Sequence, residues 1–381
     1  SRYLLADGTV THNSGKSHIF RSIIRGVATK GKRALLLVQG QNLVRQAAKH
    51  LSSLGFTVGV EMGDEGRVGD MTGQVSLLNA PQIVVASKDT IIRRLDCYPR
   101  DFFRMIVNDE AHHALARSTL TVLEHFGVSV PRLNKAGKVD PDLGKTGWRG
   151  DVLLVGLTAT PDRGDGGDLR HLFEEVGFKY GIMEAIEDGW LVPIEQEFCH
   201  LEGLDLQAVR KSSGDLDAAE IERIIRPLLE PICKGIVETA DGRPTLIYNP
   251  LVTMAEATTM HLGRMKGAGK VVTVTGETKG REDLFAAMAR KDIWALSSVG
   301  TLTEGVDIPC ASVGAMLRFT LSRPLYAQIM GRILRPAENI AHALNELKTP
   351  AERRAAIAAS SKPKAVMLDF VGNSGKHKLI H

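Results

Sequence analysis

Cysteine is scarce in this chain of 381 residues: Cys97, Cys199, Cys233 and Cys310 are scattered, with no Cys-x-x-Cys pair. That spacing argues against a zinc site or a disulfide framework and suits a reducing cytosol. Aromatic residues make up 5% of the chain, so no aromatic-rich platform for stacking bases is visible. Long apolar runs are missing too. The longest, such as Ala34 to Val38, fall far short of a bilayer's width. No basic segment followed by an apolar one marks a signal peptide. Neither sign of charge dominates, and a net charge of +4 is weak evidence for a polyanionic partner. These absences lead to the expectation of a soluble, cytoplasmic protein with no membrane partner and no zinc.

What is present is ordinary globular composition, 43% hydrophobic and 24% charged, in a chain long enough for two or three domains with their own cores. The stretch Met105-Ile106-Val107-Asn108-Asp109-Glu110-Ala111-His112-His113 stands out. Its apolar run ends abruptly in two adjacent carboxylates. This reads as a buried strand of a parallel sheet delivering acids to the carboxyl edge, where α/β proteins place ligands. Asp109 there can hold a Mg²⁺ ion and Glu110 can polarise a water for attack on a γ-phosphate. An acidic helix cap would use the same letters, and on its own the motif does not separate the two readings.

Other stretches decide it. Upstream lies Ser14-Gly15-Lys16-Ser17, and downstream lie Leu157-Thr158-Ala159-Thr160-Pro161, Thr301-Leu302-Thr303-Glu304-Gly305-Val306-Asp307-Ile308-Pro309 and Gln328-Ile329-Met330-Gly331-Arg332-Ile333-Leu334-Arg335. In this order and spacing, from about Ser14 to the end of the chain, the sequence resembles the DEAH-bearing superfamily 2 helicases and translocases. The resemblance implies an α/β fold of two RecA-like domains, each a mainly parallel sheet flanked by helices, of the P-loop NTPase kind. It implies ATP and Mg²⁺ as cofactors, and DNA, single-stranded or duplex, as partner, with RNA not excluded and further protein modules or subunits possible. The tail Val366 to Asn373 resembles the close of the second domain in RadD-like DNA helicases, and a prokaryotic or phage origin goes with that likeness.

Carried over residue by residue, the resemblance gives Gly15, Lys16 and Ser17 the nucleotide phosphates, with Ser17 and Asp109 on Mg²⁺. Glu110 is the base. Thr158 and Thr160 couple the phosphate site to the nucleic-acid site. Gly305 and Asp307 contact the nucleotide. Gln328, Arg332 and Arg335 belong to the catalytic set, with Arg335 as arginine finger and Arg332 beside it. On one continuous helix those three would fall at i, i+4 and i+7, on one face.

The first thirteen residues fit this pattern poorly. A Gly-x-x-x-x-Gly-Lys-Ser loop needs glycine at position 10, which is Val10. Residues 1–13, with an Asp7-Gly8 turn and His12-Asn13 before Ser14, resemble the C-terminal end of an intein inserted in the phosphate loop. That likeness makes Asn13 the cyclising residue, His12 its assistant and Ser14 the host nucleophile. An ordinary Asp-Gly hairpin is the alternative. The opening on Ser1 rather than Met reads as a fragment or a processed product.

The rest of the pattern alternates. Arg33–Val38, Phe56–Val60, Ile83–Ala86 and Val152–Leu157 read as strands, and Gln41–Leu54 and Thr90–Leu95 as helices. The stretches around Gln39-Gly40-Gln41 and Ser87-Lys88-Asp89-Thr90 occupy the family's strand-contacting positions; for the second, a helix cap is an equal reading. Residues 128–151 read as a surface loop. Residues 14–193 are expected to form the ATP-binding domain and residues 194–381 the second domain, entered after Gly189 and Pro193. There, residues 194–206 read as an extended crossover and Asp217–Thr239 as one long amphipathic helix. Strands follow at Thr245–Tyr248, Val271–Thr275, Trp294–Ser298, Val313–Phe319 and Ala365–Phe370, with helices at Met254–Met265, Glu282–Arg290 and Leu325–Leu334.

Overall fold

The computed structural model describes residues 2–7, 16–63, 68, 80–147, 150–158, 168–201, 209–212, 215–265, 269–303 and 306–373. Gly15, Thr160, Gly305, His12, Asn13 and Ser14 lie outside the described residues. Among those described, no helix is long and apolar enough to cross a membrane.

The chain divides into two compact units at Tyr180–Gly181. The first is built on β1 (Arg2–Asp7), α1 (Lys16–Ala28), β2 (Ala34–Val38), α2 (Gln41–Ser52), β3 (Val58–Glu61), β4 (Ile83–Ser87), α3 (Lys88–Ile91), β5 (Met105–Asn108), α4 (Arg117–His125), β6 (Leu153–Thr158) and β7 (Glu175–Tyr180). Its strands lie in the order β3-β4-β2-β5-β6-β1-β7, and every pairing is parallel. The alternation of side chains across the sheet explains why its strands are continuously apolar. Leu35, Leu37, Ile106 and Leu154 join the core under α4, while Leu36, Val38, Val107 and Val155 join the core that α1 and α2 cover. Both faces are buried, as a sheet with crossovers on each side requires.

Two features of this unit differ from the sequence reading. Within the stretch read as a loop, residues 128–147 form a hairpin-like excursion: Asn134 N–H donates to Lys138 O at 2.8 Å and Thr146 N–H to Val130 O at 2.9 Å. Val128 and Val130 anchor its base in the core. The second is β7, an edge strand with Val176 52% and Phe178 47% exposed, which lacks the buried, apolar pattern that marks the others. At the other end of the chain, β1 pairs on both sides, with β6 and with β7, so Arg2–Asp7 fills the sheet position that leads into α1.

The second unit begins with α5 (Ile182–Glu187) and β8 (Ile194–Phe198), followed by a two-residue antiparallel ladder of β9 (Lys211–Ser212) and β10 (Asp215–Leu216). Then come α6 (Ala218–Ile225), α7 (Leu229–Ala240), β11 (Thr245–Tyr248), α8 (Val252–Arg264), β12 (Val271–Val274), α9 (Arg281–Ala289), β13 (Ala295–Ser298), β14 (Val313–Met316), α10 (Arg323–Ile333), α11 (Glu338–Ala341), α12 (Pro350–Ala358) and β15 (Ala365–Asp369). The sheet order is β12-β13-β11-β14-β15-β8, again all parallel. The expected crossover at 194–206 therefore contributes an edge strand. The expected single helix over Asp217–Thr239 is two helices, separated at Arg226–Leu228, because Pro227 supplies no N–H to continue the ladder.

The segment Ile182–Val192, expected to close the first domain, belongs to the second unit, and its anchors show why. Arg353 is 7% exposed, donates to Asp188 O at 2.7 Å and stacks over the Trp190 ring at 4.3 Å. Arg354 donates to Glu187 O. Both guanidiniums meet the C-terminal end of α5, where carbonyls are unpaired and the dipole is negative. Gly189 takes φ 73, and a Cβ there would lie 2.7 Å from Arg353 Cβ. The sequence places glycine where the chain must both turn left-handed and approach α12 closely.

Candidate active site

In the first unit the acids come off the centre of the sheet. Asp109 N–H continues the ladder to Leu37 O at 2.9 Å, so the carboxylates sit at the carboxyl edge of β5 as expected. Glu110 then departs into the left-handed region, φ 50 and ψ 56, a conformation that a non-glycine residue adopts only where its surroundings impose it. Glu110 N–H donates to Asp109 Oδ1 at 3.0 Å, which orients one acid by the backbone of the other. Asp109 is 4% and Glu110 8% exposed.

The turn that follows lies against β6. His112 Nδ1 is 3.3 Å from Glu110 Oε2 and 3.4 Å from Thr158 Oγ1. One ring nitrogen, His112 Nδ1, thus approaches both Glu110 and Thr158 across the neighbouring ends of β5 and β6, with a hydrogen bond to Thr158 and a close approach to Glu110. Gly156, which the sequence reading passed over, makes this possible: a Cβ there would meet Phe173 at 2.4 Å and Ala111 Cβ at 2.8 Å. A glycine two residues before a Thr at a strand end was the available signal. Asn108, just before the acids, was also missed. It is fully buried, and neither polar atom of its side chain has a partner among the described residues. Lys16 and Ser17 are the first residues of α1, so they stand at a helix end whose N–H groups are available to phosphate.

The strand-contacting positions fare differently. Gly40 precedes α2 with φ 87, giving the Gln39-Gly40-Gln41 turn its left-handed bend. Ser87 stands at the cap position of α3, yet its hydroxyl makes no cap bond, so the capping reading is not what places it there. Thr90 is buried and its Oγ1 accepts from Gly63 N–H at 2.9 Å. A buried acid braces this region: Glu61 accepts from Tyr98 OH at 2.6 Å and pairs with Arg94. Burial, then the bond to Glu61, pushes the Tyr98 phenol far up.

In the second unit, Ser322 caps α10, accepting from Leu325 N–H at 3.3 Å. Gln328, Arg332 and Arg335 are 3%, 4% and 6% exposed. The helix stops at Ile333, so Arg335 lies beyond it and the expectation of one continuous helical face is corrected. What unites the arginines is the Thr301–Pro309 segment. Arg332 donates to Thr303 O at 2.7 and 3.2 Å and to Val306 O, while Arg335 pairs with Asp307. Burial lowers the Arg335 guanidinium, opposed in part by Asp307, and its Nη2 has no partner among the described residues. Arg332 is thereby occupied in holding the segment, and Arg335 keeps an unused donor. At the end of β11 the Tyr248 hydroxyl is buried and also has no partner among the described residues, its acidity suppressed by burial and partly restored by the charge of Arg332. Lys362, overlooked in the sequence, also reaches this segment, donating to Pro309 O at 2.9 Å.

These two sets of residues can be compared with known proteins. Residues 11–163 match the family described as "Type III restriction enzyme, res subunit" and residues 227–337 the "Helicase conserved C-terminal domain". The chain is 26% identical over 337 residues to "Putative ATP-dependent helicase IRC3" of Saccharomyces cerevisiae, a match covering 84% of this chain and 45% of that protein. The chain thus spans about half the length of that curated relative. Among solved structures, "a putative HsdR subunit of a type I restriction enzyme from Vibrio vulnificus YJ016" superposes with TM-score 0.65 at 18% identity, covering 100% of this chain and 62% of that one. Dbp5 of S. cerevisiae, "bound to RNA and ADP BeF3", gives TM-score 0.56 at 14% identity, covering 100% and 84%. The fold is that of an α/β P-loop NTPase with two RecA-like domains, as the sequence implied.

Proposed function

We propose that this chain, which carries both parts of a helicase-like, ATP-dependent enzyme, hydrolyses ATP to move along or unwind DNA. The observation that carries this reading is the convergence of Glu110, His112 and Thr158 at the carboxyl edge of the first sheet. Lys16 and Ser17 at the start of α1, with Gly15 before them in sequence, cradle the phosphates. Asp109 and Ser17 are oxygen donors of the kind Mg²⁺ takes, and their small number suits an ion that retains several waters. Bound there, Mg²⁺ supplies charge neutralisation at the β- and γ-phosphates. Glu110, held in its left-handed turn, accepts a proton from the attacking water. His112 touches both Glu110 and Thr158, so a change at the acid is felt at the Thr158-Ala159-Thr160 segment, which couples it to the nucleic acid.

In the second unit Gly305 and Asp307 serve the nucleotide. Arg335 is the arginine finger, exchanging Asp307 for the charge that spreads over the transferring phosphoryl group. Arg332 and Gln328 keep the finger's surroundings in register. DNA rather than RNA is favoured by the two restriction-type matches. By sequence motif the two motor domains are residues 14–193 and 194–381, of which Gly181–Pro193 packs with the second compact unit, and residues 1–13, with His12, Asn13 and Ser14 at the junction, are an intein remnant. Support for that last reading comes from the sequence alone.

The test is ATP hydrolysis without nucleic acid and with single-stranded DNA, duplex DNA or RNA, on this chain and on one with residues 8–13 replaced by a glycine-containing phosphate loop. Stimulation by DNA, reduced by about 10²- to 10⁴-fold in Glu110→Gln with nucleotide binding retained, is expected. Activity only after the loop repair would support the intein scar and show the unrepaired chain to be an impaired fragment. Stimulation by RNA alone would make it an RNA motor. Displacement of a triplex strand without duplex separation would make it a double-strand translocase. No hydrolysis by either chain with any nucleic acid would overturn the motor reading.

A further inference from the structure

Lys362 is a cation in an unexpected place. It lies between α12 and β15, 3% exposed, and its ammonium donates to Pro309 O at 2.9 Å. Among the described residues it forms no ion pair. Pro309 ends the segment whose middle is held by Arg332 at Thr303 and Val306 and whose Asp307 is held by Arg335. Three buried cations therefore grip one short segment at successive points. Burial pushes the Lys362 ammonium down to about 7; Cys310 and Asp307 act to keep it charged and Arg335 acts against it.

A neutral donor could satisfy a lone carbonyl at smaller desolvation cost. The ammonium has something more to offer, because it acts on Asp307 and Arg335 as well as on Pro309. If Arg335 turns to a phosphate, Asp307 loses that guanidinium, while Lys362 continues to act on it. The carbonyl bond meanwhile fixes the backbone two residues beyond Asp307.

We propose that Lys362 is a positioning residue for the Asp307–Arg335 pair, pinning the end of the Thr301–Pro309 segment so that Arg335 can exchange the carboxylate for a phosphate. This rests on the ATPase reading above. It implies that Lys362 acts through Arg335 and never on the nucleotide itself.

A double-mutant cycle tests it. The kcat and KM for ATP are measured for the wild-type chain, Lys362→Met, Arg335→Ala and the double variant, with the phosphate loop repaired in all if the wild type requires it. Lys362→Met is expected to lower kcat about tenfold with KM changed less than twofold, and to have no further effect in the Arg335→Ala background. A kcat limb near pH 7 is expected in the wild type and absent in Lys362→Met. Unchanged kcat in the Met variant, or a full tenfold loss added to that of Arg335→Ala, overturns the proposal. Should the Met variant lose its thermal transition, Lys362→Gln takes its place and the same criteria apply. If the wild type hydrolyses no ATP, the motor reading fails, and amide hydrogen exchange at Val306, Asp307, Cys310 and Ala311 then judges Lys362 by itself. Faster exchange confined to those amides in the variant supports the pinning, and unchanged exchange overturns it.

Discussion

At the scale of single residues, the acid edge is a set of groups held in conditions they would not choose. Glu110 is left-handed, buried and beside a second carboxylate. Asn108 keeps both polar atoms without partners among the described residues. A buried amide left unsatisfied costs about 1–3 kcal/mol, and residues in that condition cluster at functional sites. Asn108→Val, similar in size and free of polar atoms, is therefore expected to raise the stability of the first unit by up to about 1–3 kcal/mol. In a thermal melt that is a rise of about 2–4 °C per kcal/mol. A lower melting temperature would mean that the amide is paired in solution. The acids were legible in the sequence because an apolar run ending in two carboxylates is a pattern within one strand. Asn108 was not, since whether an amide has a partner depends on neighbours from β2 and β6.

At the scale of elements, glycines decide where segments approach. Gly156 lets the turn after Glu110 lie on β6, because any Cβ would strike Phe173 and Ala111. Gly156→Ala is expected to destabilise by about 1–3 kcal/mol through this overpacking and to separate His112 from Thr158. Chemical denaturation measures the first effect, and loss of nucleic-acid stimulation of ATPase with basal hydrolysis less affected measures the second. The Ile182–Val192 segment makes the same point with a cation. Arg353→Ala removes charged hydrogen bonds and the Trp190 stack, a loss of about 2–3 kcal/mol. Limited proteolysis should then cut near Glu187–Trp190 faster than in the wild type, and equal rates would show that Arg353 does not hold the segment. Sequence periodicity found most helices and strands. It missed β7 and β8, edge strands whose exposed faces lack the apolar run, and it joined α6 to α7 across Pro227 because both share one apolar stripe.

For the whole molecule, each unit has a parallel sheet and its own core, but they differ in equipment. The first has the strand, Gly-Lys-Ser and acids; the second has the arginines and no Gly-Lys-Ser of its own. Stability of the second unit should also carry a pH signature from Lys362, which faces Cys310, Asp307 and Arg335. Its folded pKa of about 7 lies below the unfolded value of about 10.4. Between those limits the unfolded chain binds more protons, so stability rises with pH from about 7 to 10. The Lys362 contribution should amount to a few kcal/mol at about 1.4 kcal/mol per pH unit. Denaturation curves across that range should lose this rise in Lys362→Met. An unchanged rise would show the ammonium to be solvated.

The sequence by itself determined the two-sheet α/β architecture, the order of the motifs and the placement of Asp109, Glu110 and Thr158 at strand ends. These follow from local patterns: apolar runs that need two covered faces, and polar residues at the points where such runs stop. Tertiary structure alone decided what each charged group is engaged with. Arg332 and Arg335 read as a matched pair on one helix, yet one grips backbone carbonyls and the other a carboxylate, because α10 ends before Arg335 and the Thr301–Pro309 segment passes beside both. Lys362, some fifty residues from Pro309 in sequence, is an unremarkable surface lysine in the one-dimensional pattern. Only the fold buries it, since burial of a charge is a property of what surrounds it and not of the residues on either side.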